Sequence, residues 1–128
     1  MRKLIDLPPR ELRRRAILAR GVLDIHAALK RFDDSPAMTM TILAVALGWY
    51  EGRPMDISGV ARIASLPRTT VVRHLNMLEE EGFLRFSRNQ RWVFPVPFSH
   101  KAVIDRHLYD DLELIITRTG RYLSEMDT

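Results

Sequence analysis

The chain has 128 residues, no cysteine, 46% hydrophobic residues, and 20 Lys/Arg against 16 Asp/Glu, for a formal net charge of +4. That length fits one domain with a real core and is short for an enzyme with a separate substrate domain, and the lack of cysteine excludes disulfides, thiolate metal sites and a Cys nucleophile. The basic N-terminus lacks the apolar core of a signal peptide and residues 41–47 are too few to cross a bilayer, so a soluble cytoplasmic protein without a membrane partner is expected.

The charge is uneven along the chain. Residues 1–32 carry nine bases against three acids. From Pro67 to Val96 there are five arginines, and the only acids are Glu79, Glu80 and Glu81, bunched together. The intervening and following segments are net acidic. Positive charge gathered in two places is the pattern expected of surfaces that face phosphates.

In chain order, Pro8 and Pro9 are placed to start a helix that runs to about Phe32, with Leu18, Val22, Ile25, Leu29 and Phe32 recurring at spacings of four and three. Asp33, Asp34 and Ser35 break it, and Ser35 is placed to cap a second helix that opens on Pro36 and ends near Glu51. Met40, Ile42, Leu43, Val45, Ala46 and Leu47 make this helix apolar nearly all round, which predicts the buried centre of the fold. Gly52 and Pro54 end it. Ser58 is the expected cap of a third helix whose inward face is Val60, Ala61, Ile63 and Ala64. After Leu66, a fourth helix spans roughly Pro67 to Glu81. Val71, Leu75 and Leu78 point inward, and Arg68, Thr69, Val72, Arg73 and Asn76 lie on the opposite side.

Gly82 then supplies a stop that a positive φ would require. Phe83–Ser87 and Arg91–Val96 read as two strands joined across Arg88, Asn89 and Gln90, and Pro95 and Pro97 close the second. Ser99 is placed to cap a last long helix carrying Ile104, Leu108, Leu112, Ile115 and Leu123, bent or ended by Gly120.

The predicted class is mainly α with a small β-hairpin (α+β). One domain, 1–128, comprises N-terminal helices over about 9–51, a winged helix-turn-helix over 56–96 and a C-terminal helix over 99–127. Such a unit lays one helix in the major groove of double-stranded DNA and a basic hairpin beside it. Arg68 or Arg73 can make a two-pronged hydrogen bond to guanine, Asn76 can pair with adenine, and the methyls of Thr69 and Val72 can meet a thymine methyl. Thr70 suits a phosphate. In the hairpin, Arg88 and Arg91 flank a polar tip with Asn89 that can approach the minor groove, and Arg85 is better placed for backbone.

The run ISGVARIASLPRTTVVRHLNMLEEEGFLRF resembles the helix-turn-helix of bacterial winged-helix transcription regulators, and its LPRTTVVRHLNMLEEEGF portion is especially similar to that of the IclR family. The layout of the whole chain, two helices before this motif and one long helix after the hairpin, resembles the MarR family. That likeness implies a homodimer built by intertwined first and last helices, base reading by Arg68, Thr69, Val72 and Arg73, and minor-groove contact by Arg88. It also implies a small-molecule effector held between reading unit and dimer helices, beside Trp49 and Tyr50, although core packing is the reading preferred for those two rings. Apolar stripes on the first and last helices, more than a small core can cover, also predict a two-fold dimer on a pseudo-palindrome.

No cofactor is expected. The four histidines lack ligand spacing, and neither paired carboxylates, a nucleophile elbow nor a phosphate-binding glycine loop is present, so catalysis is not expected. The function expected is a sequence-specific DNA-binding transcriptional regulator, most simply a repressor. The alternatives are a winged-helix protein-interaction module, or a plasmid or phage replication or partition protein that binds DNA in the same way.

Overall fold

The computed structural model describes residues 6–86, 93–94 and 101–127, with side chains described for 6–86 and 107–127. Five helices run in chain order: α1 (Pro9–Phe32), α2 (Pro36–Tyr50), α3 (Ile57–Ala64), α4 (Arg68–Glu80) and α5 (Lys101–Glu125). Between α4 and α5, β1 (Arg85–Phe86) pairs antiparallel with β2 (Val93–Phe94) in the register Arg85 to Phe94 and Phe86 to Val93.

Local chemistry sets most boundaries. Pro9 sits in the first turn of α1, where a missing N–H costs no helical hydrogen bond. At the corner into α2, the Asp33 carboxylate accepts from Ser35 N at 2.8 Å. The Ser35 hydroxyl then accepts from Met38 N at 3.2 Å and caps α2 as expected. The cap of α3 is different from the one expected. Asp56, not Ser58, occupies the cap position, and its carboxylate accepts from Gly59 N at 2.7 Å. An aspartate two residues earlier gives the orphan Gly59 amide a charged acceptor, which makes the stronger bond. At the far end of α4, Gly82 adopts a φ of +79°, the left-handed stop its position predicted. Gly120 does not end α5, which continues to Glu125.

The core lies where α2, α3 and α4 meet. Met38, Ala44 and Val45 of α2, Val60 and Ala64 of α3, and Val71, Leu75 and Leu78 of α4 are buried together with Leu84. Burial on α2 and α3 departs from the expected pattern. On α2, Thr39 and Thr41 are fully buried, whereas Met40 and Leu47 are exposed. On α3, Ile63 is exposed instead of inward. The polar threonines are tolerated because each is hydrogen-bonded. Thr39 Oγ1 donates to the Leu29 carbonyl of α1 at 3.1 Å, and Thr41 Oγ1 contacts His74 of α4 at 2.8 Å.

α1 and α5 lie antiparallel within one chain. Arg10 reaches Asp127 and the Met126 carbonyl at one end, Asp24 pairs with Arg118 at 3.2 Å, and Arg31 pairs with Asp111 at 3.6 Å at the other. Their seam is set by small residues. A Cβ on Gly21 would lie 2.8 Å from Thr119 Oγ1 and 2.9 Å from its Cγ2. Ala28, Leu29, Leu108 and Ile115 are buried, whereas Leu18 (38% exposed) and Val22 (66%) lie largely outside. The expected α1 stripe therefore splits between a buried seam and an open flank. Gly21→Leu is expected to force α1 and α5 apart and lower stability by about 1–3 kcal/mol, read as a fall in the urea midpoint. No helix among the described residues is long and apolar enough to cross a membrane.

Candidate nucleic-acid interface

The α3–turn–α4 unit is fixed by a sharp backbone reversal. Ser65, exposed, takes a left-handed conformation (φ 56°, ψ 45°) at the end of α3, and the Leu66 amide turns back onto the Ala61 carbonyl at 3.0 Å. Leu66 packs against the core and Pro67 precedes the first helical residue of α4, so the second helix leaves in a set direction. A side chain in the left-handed region costs about 1–2 kcal/mol, and glycine gives part of that back through its larger unfolded-state entropy. Ser65→Gly is expected to raise stability by up to about 1 kcal/mol and Ser65→Val to lower it, both measurable by urea denaturation.

On α4 the buried residues Val71, His74, Leu75 and Leu78 define one face, and Thr69, Val72, Arg73 and Asn76 follow one another at i, i+3, i+4 and i+7 on the other. Thr69, Arg73 and Asn76 are exposed and Val72 is half-buried. Arg68 is exposed at the start of the helix, and Thr70 is half-buried on the flank. The outward set therefore offers a donor fork, an amide and two methyl-bearing side chains on one exposed surface. No salt bridge engages Arg68 or Arg73 among the described residues, which leaves both guanidinium groups available.

Arg68 opens α4, where the helix dipole adds positive potential, Arg73 lies one turn further along, and Glu79, Glu80 and Glu81 lie at the far end. An anionic partner is thus drawn to the N-terminal half. The Glu79 carboxylate accepts from Phe86 N at 3.3 Å and ties β1 to the end of α4. Arg85 is exposed on β1 beside it. Arg88, Asn89 and Arg91 lie outside the described residues.

Two features escaped the sequence reading. His74, 5% exposed, faces inward from α4 and bonds the fully buried Thr41. The signal was present in its place at i+3 from Val71, within the apolar face. Burial holds its pKa below the usual imidazole range, helped by the Arg73 charge and opposed by Asp33. Unfolding returns the ring to its ordinary value near 6.5, so the unfolded chain takes up a proton at higher pH than the folded one. The stabilising effect of burying a neutral ring is complete above about pH 6.5 and declines as pH falls below it. A melting temperature that drops more steeply below that pH in the native chain than in His74→Asn is the expected result.

The second is a groove of about 300 Å³ lined by Met40, Leu43, Leu47 and Tyr50 of α2, Ile63 of α3 and Tyr109 of α5. Trp49 and Tyr50 are 47% and 55% exposed, so the core-packing reading of these rings fails. Tyr50 stacks edge-on against both Trp49 and Tyr109, with ring centroids 5.6 and 5.8 Å apart. The rings are held in place by one another at the surface.

Residues 51–88 match the family model described as the IclR helix-turn-helix domain. The match covers α3, the turn, α4 and β1, and supports a helix-turn-helix of the kind that binds DNA in transcription regulation. It does not extend to α1, α2 or α5. No curated protein and no solved structure is matched by the chain.

Proposed function

We propose that the protein is a non-catalytic, sequence-specific transcriptional regulator that places α4 in the major groove of double-stranded DNA. The observation that carries this reading is the exposed face Thr69, Val72, Arg73 and Asn76, backed by a buried apolar face on the same helix and preceded by Arg68. Phosphate contacts set affinity and register, while a few side chains of this face choose the sequence. Minor-groove contact falls in this reading to Arg88 and Arg91, which lie between β1 and β2 in the sequence. Repression follows most simply, by occupying an operator that polymerase needs.

The proposed working form is a homodimer in the manner of MarR proteins, with α1 and α5 joining two copies. Val22, Leu23, Leu114 and Ile116 are each exposed on these helices, and apolar area of this kind favours association. Two reading units then meet half-sites about 10 bp apart or a multiple of it. A small, largely apolar effector in the groove beside Tyr50 and Tyr109 would lie between α2 and α5 and so touch both the body of the reader and the dimer arm.

Selection of bound sequences from a random duplex pool, with light scattering at micromolar concentration, tests the whole reading. A two-fold symmetric consensus bound by a dimer is expected. A pool that yields no consensus, together with retention on heparin that survives Arg68→Ala/Arg73→Ala, would overturn it and favour a protein-interaction role for α4.

A further inference from the structure

We propose that the buried contact between His74 and Thr41 is the pin that sets the rotation of α4, so that His74 is a positioning residue for base reading; this rests on the DNA-binding reading above. α4 meets the body through Val71, Leu75 and Leu78, each no more than 2% exposed. Apolar contact of that kind is strong but non-directional, and a core of the right volume tolerates small rotations and slides of a helix. His74 is the one polar residue on the buried face of α4, and its bond has a direction.

The other end of that bond is itself anchored. Thr41 is fully buried in α2, and its Oγ1 also lies 3.2 Å from the Ala37 carbonyl oxygen. A hydroxyl has one proton; given to Ala37, it leaves a lone pair on Oγ1 for the Nδ1–H of His74 at 2.8 Å. Two residues earlier, Thr39 Oγ1 ties α2 to the Leu29 carbonyl of α1. The reading helix is thereby registered through α2 against the α1/α5 arm by two directional bonds, made by Thr39, Thr41 and His74, the buried polar side chains among the described residues.

The consequence is specific to reading. Arg73 precedes His74 and Asn76 follows two residues later, so any rotation about the axis of α4 carries both away from the base edges together. Hydrogen bonds to base edges fall off steeply with angle. Attraction between guanidinium groups and phosphates does not, because it acts through distance-dependent charge and long flexible side chains. Loss of the pin therefore lowers discrimination between sequences and spares general affinity for DNA.

Three variants of the full chain separate this role from ordinary core packing. Thr41→Val keeps the volume and removes the bond. The pair Thr41→Val/His74→Leu replaces it by apolar groups, leaving no buried polar atom unpaired. His74→Asn presents an amide where Nδ1 stood, able to donate or accept, and restores the bond. The readout is the ratio of dissociation constants for a scrambled duplex and for the duplex selected by the native chain, with the exchange rates of the α4 backbone amides measured in parallel.

Thr41→Val and the apolar pair are expected to lower the ratio about ten-fold, the scale of a single base contact. Affinity for the scrambled duplex and its salt slope should stay unchanged. Amide exchange in α4 should quicken in both, and His74→Asn should recover both readouts. An unchanged ratio in Thr41→Val overturns the proposal whatever the exchange rates, and so does a ratio that falls equally in His74→Asn. If the native chain selects no duplex, the DNA-binding reading fails, and exchange alone decides the pin: unchanged α4 rates in Thr41→Val overturn it and faster rates support it.

Discussion

Arg73→Ala is expected to weaken binding to the selected duplex by about 1–3 kcal/mol and to relax preference at one position of the site, with melting temperature nearly unchanged. Arg73 is exposed on α4 and takes part in no salt bridge among the described residues, so its removal leaves no partner unsatisfied in the free protein. The stability effect should then be that of an ordinary surface change, within about 0.5 kcal/mol. A small gain is also expected at low pH, because the Arg73 charge disfavours protonation of His74. Fluorescence anisotropy across a salt series separates the two roles open to this side chain. If Arg73 binds a base edge, its truncation lowers affinity for the selected duplex more than for a scrambled one; if it binds a phosphate, both affinities fall and the salt slope drops by about one. Equal affinity of Arg73→Ala and the native chain for the selected duplex would remove Arg73 from the reading face.

The outward face of α4 was legible in the sequence because two periodic signals agree there. Val71, Leu75 and Leu78 fix which side is buried, and Thr69, Val72, Arg73 and Asn76 then fall on the other by helix geometry alone. The bond between His74 and Thr41 was not legible. It joins residues 33 apart in the chain, on two helices whose mutual rotation no single-helix pattern specifies. A polar residue on an apolar face states a need for a partner without naming it. Ser58 and Asp56 are both cap-forming residues two positions apart, and only the backbone of the turn decides between them.

The flanking helices show a different limit. The stripe Leu18, Val22, Ile25, Leu29 and Phe32 on α1 is real as a pattern, yet the seam against α5 runs through Gly21 and Ala28, where small side chains let the helices come close. Large residues mark where burial would be most favourable, whereas small residues mark where backbones can touch, and at Gly21 the second governs. α2 carries the same lesson. It is apolar nearly all round, but a helix in contact with α1, α3 and α4 still has one open side, and Met40, Leu47 and Tyr50 line the groove there. Apolar content predicted centrality correctly and complete burial incorrectly.

Leu75→Ala is expected to have the largest effect on stability, about 2–5 kcal/mol. Leu75 is fully buried in the core that α2, α3 and α4 share, so the cavity left by its truncation is walled by packed helices, two of them tied by a short turn. That constraint limits how far the site can collapse, and the cost rises with the volume left empty. For a domain whose whole stability is of the order of 5–15 kcal/mol, the change is a large fraction of it. Leu75 is on the opposite side of α4 from Arg73, so the two variants should separate the roles of the helix cleanly. Leu75→Ala should lower the urea midpoint while the molecules that remain folded keep their preference among duplexes; Arg73→Ala should do the reverse. A Leu75→Ala chain that keeps the native urea midpoint yet no longer distinguishes the selected duplex from a scrambled one would show the division of α4 into a packing face and a reading face to be wrong.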